Sequence, residues 1–299
     1  MRFLTWRRLV AGLALVLATM LVPGSAYTAA PFTLLKLGDA EAVGRSQGVT
    51  WMLALGSDAR VQQGQSVARS RADSIHLVGF NVRTGAGMIL GIPRDSYVDI
   101  PGYGSDKINA SLVYGGAQLT ARTVAQLTGI KPDYVFLTGF NAFGEMVHHL
   151  GGVEVRPPMR MNDLGYTFPP RKQRLNGAEA LAFSRIRHGL PGGDFDRSRN
   201  QGRVLMAGLR QARQVSDAPG RYEALMFAAM TRMDTNMRPT ELYRLGRVVL
   251  QTEPSKVDNC VASGGTGSAG GASVVLLDRG ALSRVVRDVR GDATLNRGC

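Results

Sequence analysis

Between Ser184 and Gln201 the chain reads Ser-Arg-Ile-Arg-His-Gly-Leu-Pro-Gly-Gly-Asp-Phe-Asp-Arg-Ser-Arg-Asn-Gln, which sets Arg185, Arg187, Arg197 and Arg199 around a Gly-Gly-Asp turn. A guanidinium is always protonated, and its planar fork meets phosphate oxygens two at a time. Four of them without four local carboxylates describe a site for a ligand with several negative charges, and a pyrophosphate is the natural one. His188 lies inside the cluster and is a candidate member of it.

Three further charged segments punctuate the N-terminal half: Gly56-Ser57-Asp58-Ala59-Arg60, Arg71-Ala72-Asp73-Ser74 and Ile92-Pro93-Arg94-Asp95-Ser96. Each adjoins an apolar run that reads as a strand, so the charges fall at strand ends. Antiparallel pairing of the first two strands would bring Asp58 and Asp73 to one end. Two carboxylates there are hard oxygen ligands suited to Mg²⁺, or Mn²⁺ in its place, with water and substrate phosphate completing the shell. Arg71 and Arg94 beside them make the site one of mixed charge; surface ion pairs are the plainer reading of any single pair. Asp106-Lys107-Ile108-Asn109-Ala110 and Tyr114-Gly115-Gly116 precede a helix, where glycines let a backbone approach closely and leave helix N–H groups for an anion. His148 and His149, beside Glu145, are adjacent on a helix and face different directions, which reads as a solvated or half-buried pair and not a metal site.

The elements that must position these residues follow from periodicity. Strands are predicted over 50–55, 73–81, 86–92 and 134–140, the second and third joined as a hairpin through Arg83-Thr84-Gly85. Helices are predicted over 118–127, 141–150, from Asn176, and over 199–215, 221–232 and 240–251. This interleaving implies an α/β fold, a layered α-β-α domain over about 48–255 with a central mixed sheet between helices. A Gly/Ser-rich run at 263–273 reads as flexible, followed by a strand at 274–277 and a helix at 279–289.

The chain of 299 residues carries a net charge of +13, with thirty-one arginines against five lysines. A GC-rich genome favours that usage; the remaining excess fits a polyanionic partner. Arg2, Arg7 and Arg8 precede an uncharged apolar run from Leu9 to Val22, and small residues follow. Residues 1–26 therefore read as an export signal, cleaved or kept as a short anchor, and 27–47 as a connecting linker. The mature domain is expected on the extracytoplasmic face of a membrane, which argues against a nucleic-acid role. Cys260 and Cys299 fit that oxidising compartment as a disulfide tying down a small C-terminal appendage, 256–299.

Taken together, these residues resemble the LytR-CpsA-Psr family of cell-envelope proteins. The resemblance runs from Trp51 to Leu205 and rests on seven motifs in register: Gly-Ser-Asp58-Ala-Arg60, Arg71-Ala-Asp73-Ser, Ile-Pro93-Arg94-Asp95, Lys107-Ile-Asn109-Ala, Leu175-Asn-Gly177-Ala-Glu-Ala-Leu, Ser184-Arg185-Ile-Arg187-His188 and Gly193-Asp194-Phe-Asp-Arg197-Ser-Arg199-Asn-Gln201. It implies a phosphotransferase that moves a glycopolymer from a polyprenyl-pyrophosphate carrier to a peptidoglycan sugar hydroxyl. The matching positions imply that Asp58 and Asp73 hold magnesium. They also imply that Arg60, Arg71, Arg94, Lys107, Arg185, Arg187, Arg197 and Gln201 hold the pyrophosphate and head group, supported by Asp194, Asn109 and His188. Asn200 stands where a second arginine is frequent. Asp95 and Asp58 are the candidate bases for the acceptor hydroxyl. A polyprenyl tail needs an apolar groove, expected from the helices at 116–128 and 199–232, with Met206, Leu209, Leu225, Met226, Phe227 and Met230 as lining. A pyrophosphate hydrolase acting at the same site, or a non-catalytic glycopolymer-binding envelope protein, are the alternatives.

Overall fold

The apolar runs assemble into one seven-stranded sheet with helices on both faces. A computed structural model describes residues 32–38, 48–216, 220–230 and 233–299. The expected signal segment, 1–26, lies outside the described residues. In chain order come β1 (Phe32–Lys36), β2 (Val49–Ser57), β3 (Ala72–Asn81) and β4 (Gly87–Gly91). The hairpin of β5 (Tyr97–Ile100) and β6 (Gly104–Lys107) leads into α1 (Ala110–Thr128), then β7 (Tyr134–Gly139) and α2 (Phe140–His149). Short strands β8 (Val153–Val155), β9 (Met161–Asp163), β10 (Tyr166–Phe168) and β11 (Gln173–Leu175) precede α3 (Gly177–Arg185) and the long α4 (Asp194–Ser216). There follow α5 (Arg221–Met230), β12 (Met233–Thr235), α6 (Pro239–Gln251), β13 (Val257–Val261), β14 (Gly264–Ala269), β15 (Ala272–Leu277) and α7 (Arg279–Val289).

The sheet order is β12-β1-β7-β2-β3-β4-β13. It is mixed: β2 runs parallel to β7 and antiparallel to β3, and β3 runs antiparallel to β4. Alternation along β2 separates two cores. Trp51, Leu53 and Leu55 pack with α1 and α7, whereas Met52 and Ala54 turn toward α4 and α6. Strand β3 is buried almost throughout, as its position inside a covered sheet requires. The β3–β4 connection is the expected hairpin; Asn81 Oδ1 accepts from the N–H groups of Arg83 (3.0 Å) and Thr84 (3.2 Å), which fixes the turn.

Three local features aim the site. Helix α3 opens on a capping box, Asn176 Oδ1 accepting from Glu179 N (3.0 Å) and Glu179 Oε2 from Asn176 N (2.8 Å). Its first residue, Gly177, approaches Gly144 of α2 so closely that an added Cβ would fall 2.1 Å from the Gly144 carbonyl oxygen. That backbone contact lets the far end of α3 present Arg185 over the Phe140 ring, 4.4 Å from its centroid. Helix α1 begins eight residues before the predicted 118 and breaks at Gly115-Gly116, where Gly116 has φ +67°.

Two boundaries differ from expectation. The segment expected as a linker over 27–47 contains β1, which pairs antiparallel with β7 and parallel with β12. The C-terminal segment is tied by the Cys260–Cys299 disulfide (Cα atoms 5.5 Å apart), but it is not set apart at 255. Strand β13 closes one edge of the sheet against β4, and α7 buries Leu282, Val286 and Val289 in the main core. The run expected to be flexible at 263–273 is the β14–β15 hairpin, turned by Gly270 and Gly271, both with positive φ.

Candidate functional site

Strand β3 ends its pairing with β2 where Ser57 faces Ala72, so Asp58 and Asp73 emerge at the same end of the sheet, and Asp58 N donates to Arg71 O (3.0 Å). Asp73 is buried and forms an ion pair with Arg94, which follows β4. From the start of α4, Arg197 pairs with Asp194 and stands 3.9 Å from Asp73. Burial holds the Asp194 carboxyl above the usual carboxylate range, against the pull of Arg197, and burial likewise lowers the Arg197 guanidinium. Lys107 pairs with Asp95 at 3.3 Å on the rim. Two buried atoms of the cluster, Arg94 Nε and Asp194 Oδ2, find no hydrogen-bond partner among the described residues. An unused guanidinium N–H beside a paired carboxylate is what a bound phosphate oxygen would satisfy.

Gln201 and Asn109 act through the backbone. Gln201 Nε2 donates to the carbonyls of Asp73 (3.2 Å) and Ser184 (3.1 Å), joining α4, β3 and α3. Asn109 N donates to Arg94 O, and Asn109 O accepts from Ala72 N, each at 3.2 Å. Both residues therefore set the positions of charged neighbours.

Behind the cluster runs an apolar channel. Two cavities, of about 90 and about 250 Å³, share Ala54, Phe136, Phe143, Met146, Val204 and Leu205 and lie between the sheet and helices α2 and α4. Asp73, Ser184 and Arg185 stand at one end; Val249 and Val257 stand at the other. The lining differs from the expected one. Helix α1 packs on the opposite face of the sheet, Met226 joins a separate cluster around Tyr134, and Phe227 is exposed. Leu209 does line the channel, and Met206 packs with the apolar cluster next to it. The side chain of Leu225 lies outside what the structure describes.

Other sequence candidates are dispersed. Asp58, Arg60 and Arg71 line a neighbouring polar cleft. Arg187 is exposed, its backbone N–H facing Asp163 at 3.4 Å, and among the described residues no ion pair joins its side chain to the Asp73 cluster. His188 is likewise exposed and faces Asp163 at 3.3 Å, which makes it a clamp on its own loop instead of a member of the cluster. Asn200 is buried, accepting from Arg203 (2.6 Å) and facing Met161 Sδ. His148 and His149 are exposed at the end of α2, and no group of three metal-ligating side chains occurs among the described residues. Mg²⁺ needs no such group: one or two carboxylates with water and substrate phosphate suffice, and Asp58 and Asp73 at adjoining strand ends offer oxygen donors of that kind.

One residue escaped the sequence reading. His76 is fully buried between Ser74 Oγ (3.0 Å from Nδ1) and Ser198 O (3.1 Å from Nε2), a tie between β3 and the first turn of α4. The Asp-Ser-Ile-His alternation puts Ser74 and His76 on one strand face, which was the available signal. Burial lowers its pKa from 6.5 to about 4. The unfolded chain therefore takes up this proton first as pH falls, and stability present above pH 6.5 is lost on the way to about pH 4. That loss amounts to about 3 kcal/mol. Asp194, protonated earlier in the folded state, works in the opposite direction. Urea denaturation of wild type and His76→Phe at pH 7.5 and 4.5 isolates the imidazole: the wild type is expected to lose more stability, and equal losses would remove His76 as the cause.

The LytR_cpsA_psr family model matches residues 35–290. The polyisoprenyl-teichoic acid--peptidoglycan teichoic acid transferase TagT of Bacillus subtilis (strain 168) is 30% identical over 249 residues, covering 81% of this chain and 76% of that protein. The solved structure of TagT bound to LIIa-WTA superposes with a TM-score of 0.69 at 27% identity, over 86% of this chain and 98% of that one. The LytR-CPS2A-psr family protein YwtF (TagT) with bound octaprenyl pyrophosphate lipid superposes with a TM-score of 0.63 at 25% identity, over 85% and 96%.

Proposed function

The chain belongs to the LytR_cpsA_psr family, and from that premise we propose that it is an extracytoplasmic, membrane-associated phosphotransferase. Its donor is a glycopolymer on a polyprenyl pyrophosphate and its acceptor a peptidoglycan sugar hydroxyl. The observation that carries the reading is the Asp73–Arg94–Arg197–Asp194 cluster at the mouth of an apolar channel. A polar anion-binding end joined to a hydrocarbon-lined groove matches a ligand with a diphosphate head and a prenyl tail.

In this scheme Arg94, Arg197 and Arg185 bind the diphosphate, and Gln201 keeps Asp73 and Ser184 in register. Asp58 and Asp73 would hold a magnesium or manganese ion, which when bound offsets charge on the non-bridging phosphate oxygens. The acceptor oxygen forms a bond to the phosphorus that carries the glycopolymer. The bond to the polyprenyl phosphate breaks, leaving a phosphodiester and free polyprenyl phosphate. Asp95 receives the hydroxyl proton, because Asp58 and Asp73 are both assigned to the metal, and Lys107 at 3.3 Å holds its carboxylate in place.

Incubating labelled lipid-linked polymer with and without peptidoglycan tests the reaction: a covalent polymer–peptidoglycan adduct is expected, and release of free polymer phosphate alone in both arms would replace transfer by hydrolysis. The channel has its own test. Gly208 lines it, and an added Cβ there meets nothing within 4 Å. Gly208→Leu should fold normally yet overfill the groove, lowering turnover of a long-chain donor about tenfold while a geranyl donor is spared. Equal loss with both donors would mean that the tail lies elsewhere.

A further inference from the structure

The polar cleft beside the cluster is a second site. It measures about 460 Å³ and is lined by Asp58, Arg60, Gln65, Arg69 and Arg71 among others. None of its three arginines is in an ion pair among the described residues, so its walls carry three positive charges against the single carboxylate of Asp58. Asp58 and Arg71 also belong to the strand ends that carry Asp73, which places the cleft next to the reacting groups but off the hydrocarbon channel.

Beside it, reached through Arg69 and Val113 of its lining, stands an aromatic pair. At the Gly115-Gly116 break, α1 leaves Tyr114 37% exposed, and Tyr103, from the β5–β6 turn, is 56% exposed. The rings stack with centroids 4.9 Å apart and planes within 11°. Tyr103 OH donates to Tyr114 O (3.2 Å), Tyr114 OH donates to Asp106 (2.6 Å), and Arg69 Nη1 donates to Tyr114 O (3.4 Å). Two stacked rings, each with its hydroxyl hydrogen-bonded, have little rotamer freedom left to lose on binding. Flat apolar ring faces beside unpaired guanidinium groups suit a pyranose chain, whose C–H faces lie on the rings while its carboxylates meet the arginines. A prenyl tail would leave those cations unpaired.

We propose that this cleft binds the acceptor: a pyranose glycan strand bearing carboxylates, with one sugar on the Tyr103–Tyr114 platform and an acidic group on Arg60 and Arg69. The assignment to the acceptor rests on the transfer reading above; the binding of an acidic glycan does not.

The full chain is titrated with two probes, a peptidoglycan tetrasaccharide retaining its stem peptides and uncharged N-acetylchitotetraose, and binding is followed calorimetrically. Tyr114→Ala, and independently Tyr103→Ala, should weaken the peptidoglycan probe about tenfold; Arg69→Ala should abolish the preference for it over the uncharged probe. In turnover, all three variants should raise KM for the acceptor, with kcat and KM for the lipid donor unchanged. Absence of probe binding to wild type, equal binding by all variants, or a rise in donor KM would each overturn the proposal. If wild type binds the probe and loses it on Tyr114→Ala but makes no adduct, the transfer reading falls and the glycan site stands.

Discussion

Arg197→Leu is expected to lower transfer about a thousandfold and to destabilise the fold by about 3–5 kcal/mol. The side chain is only 4% exposed and lies between Asp194, with which it pairs, and Asp73 at 3.9 Å. Removing it leaves the largely covered Asp194 without its paired cation and with only Arg94 to offset its charge. That carboxyl is already held above its usual range by burial and has one oxygen unpartnered, so the variant should keep it protonated at still higher pH. Arg197→Lys separates the two losses: an ammonium restores the charge, and with it most of the stability, but not the planar fork that grips two phosphate oxygens. Denaturant midpoints and initial rates measured on the same preparations decide the matter. Near-wild-type turnover by a folded leucine variant would remove Arg197 from the site.

Legibility in the sequence follows a physical divide. Charged residues at strand ends could be placed because a strand's direction and a short turn fix where its ends go. The Arg83-Thr84-Gly85 hairpin and the antiparallel β2–β3 pair then bring Asp73 and Arg94 to one end of the sheet. The groove lining could not be read the same way. An apolar helical stripe shows that a helix packs on a sheet, not on which face, and α1 took the face away from the channel. The channel wall instead includes α2, whose Phe143 and Met146 read as ordinary core residues. His76 lay hidden for a related reason: its partner Ser198 O is 122 residues away, and only the docking of α4 creates the contact. Arg187 and His188 show a different limit. Their neighbours in sequence suggested a single cluster; the turn after α3 carries the backbone of both toward Asp163, and of Arg185, Arg187 and His188 it is Arg185 that lines the channel mouth. Glycine-rich composition likewise concealed the β14–β15 hairpin, because the signal lay in Gly270-Gly271 as a turn and not in side chains that prefer strands.

Reducing the disulfide, or replacing both cysteines with serine, is expected to cost about 4 kcal/mol and about 10 °C of thermal midpoint. Native contacts alone would not give that figure. The end of the chain stays anchored without the bond: Ala293 is fully buried, Leu295 N donates to Asp258 (3.3 Å), and Asp288 accepts from the N–H groups of Asn296 (2.7 Å) and Arg297 (3.1 Å). Those backbone hydrogen bonds also hold the Asp288 carboxyl below its usual range, so the turn is preformed in the folded state. The loss therefore acts chiefly on the unfolded chain, where a link spanning 39 residues restricts the ensemble. Two signatures separate this account from simple fraying. The denaturant slope should rise on reduction, since an unlinked unfolded chain exposes more surface, while turnover at 25 °C stays close to wild type because β13 and α7 remain docked. An unchanged slope with lost activity would mean that the bond instead holds β13 against β4, and that the sheet edge opens when it is cut.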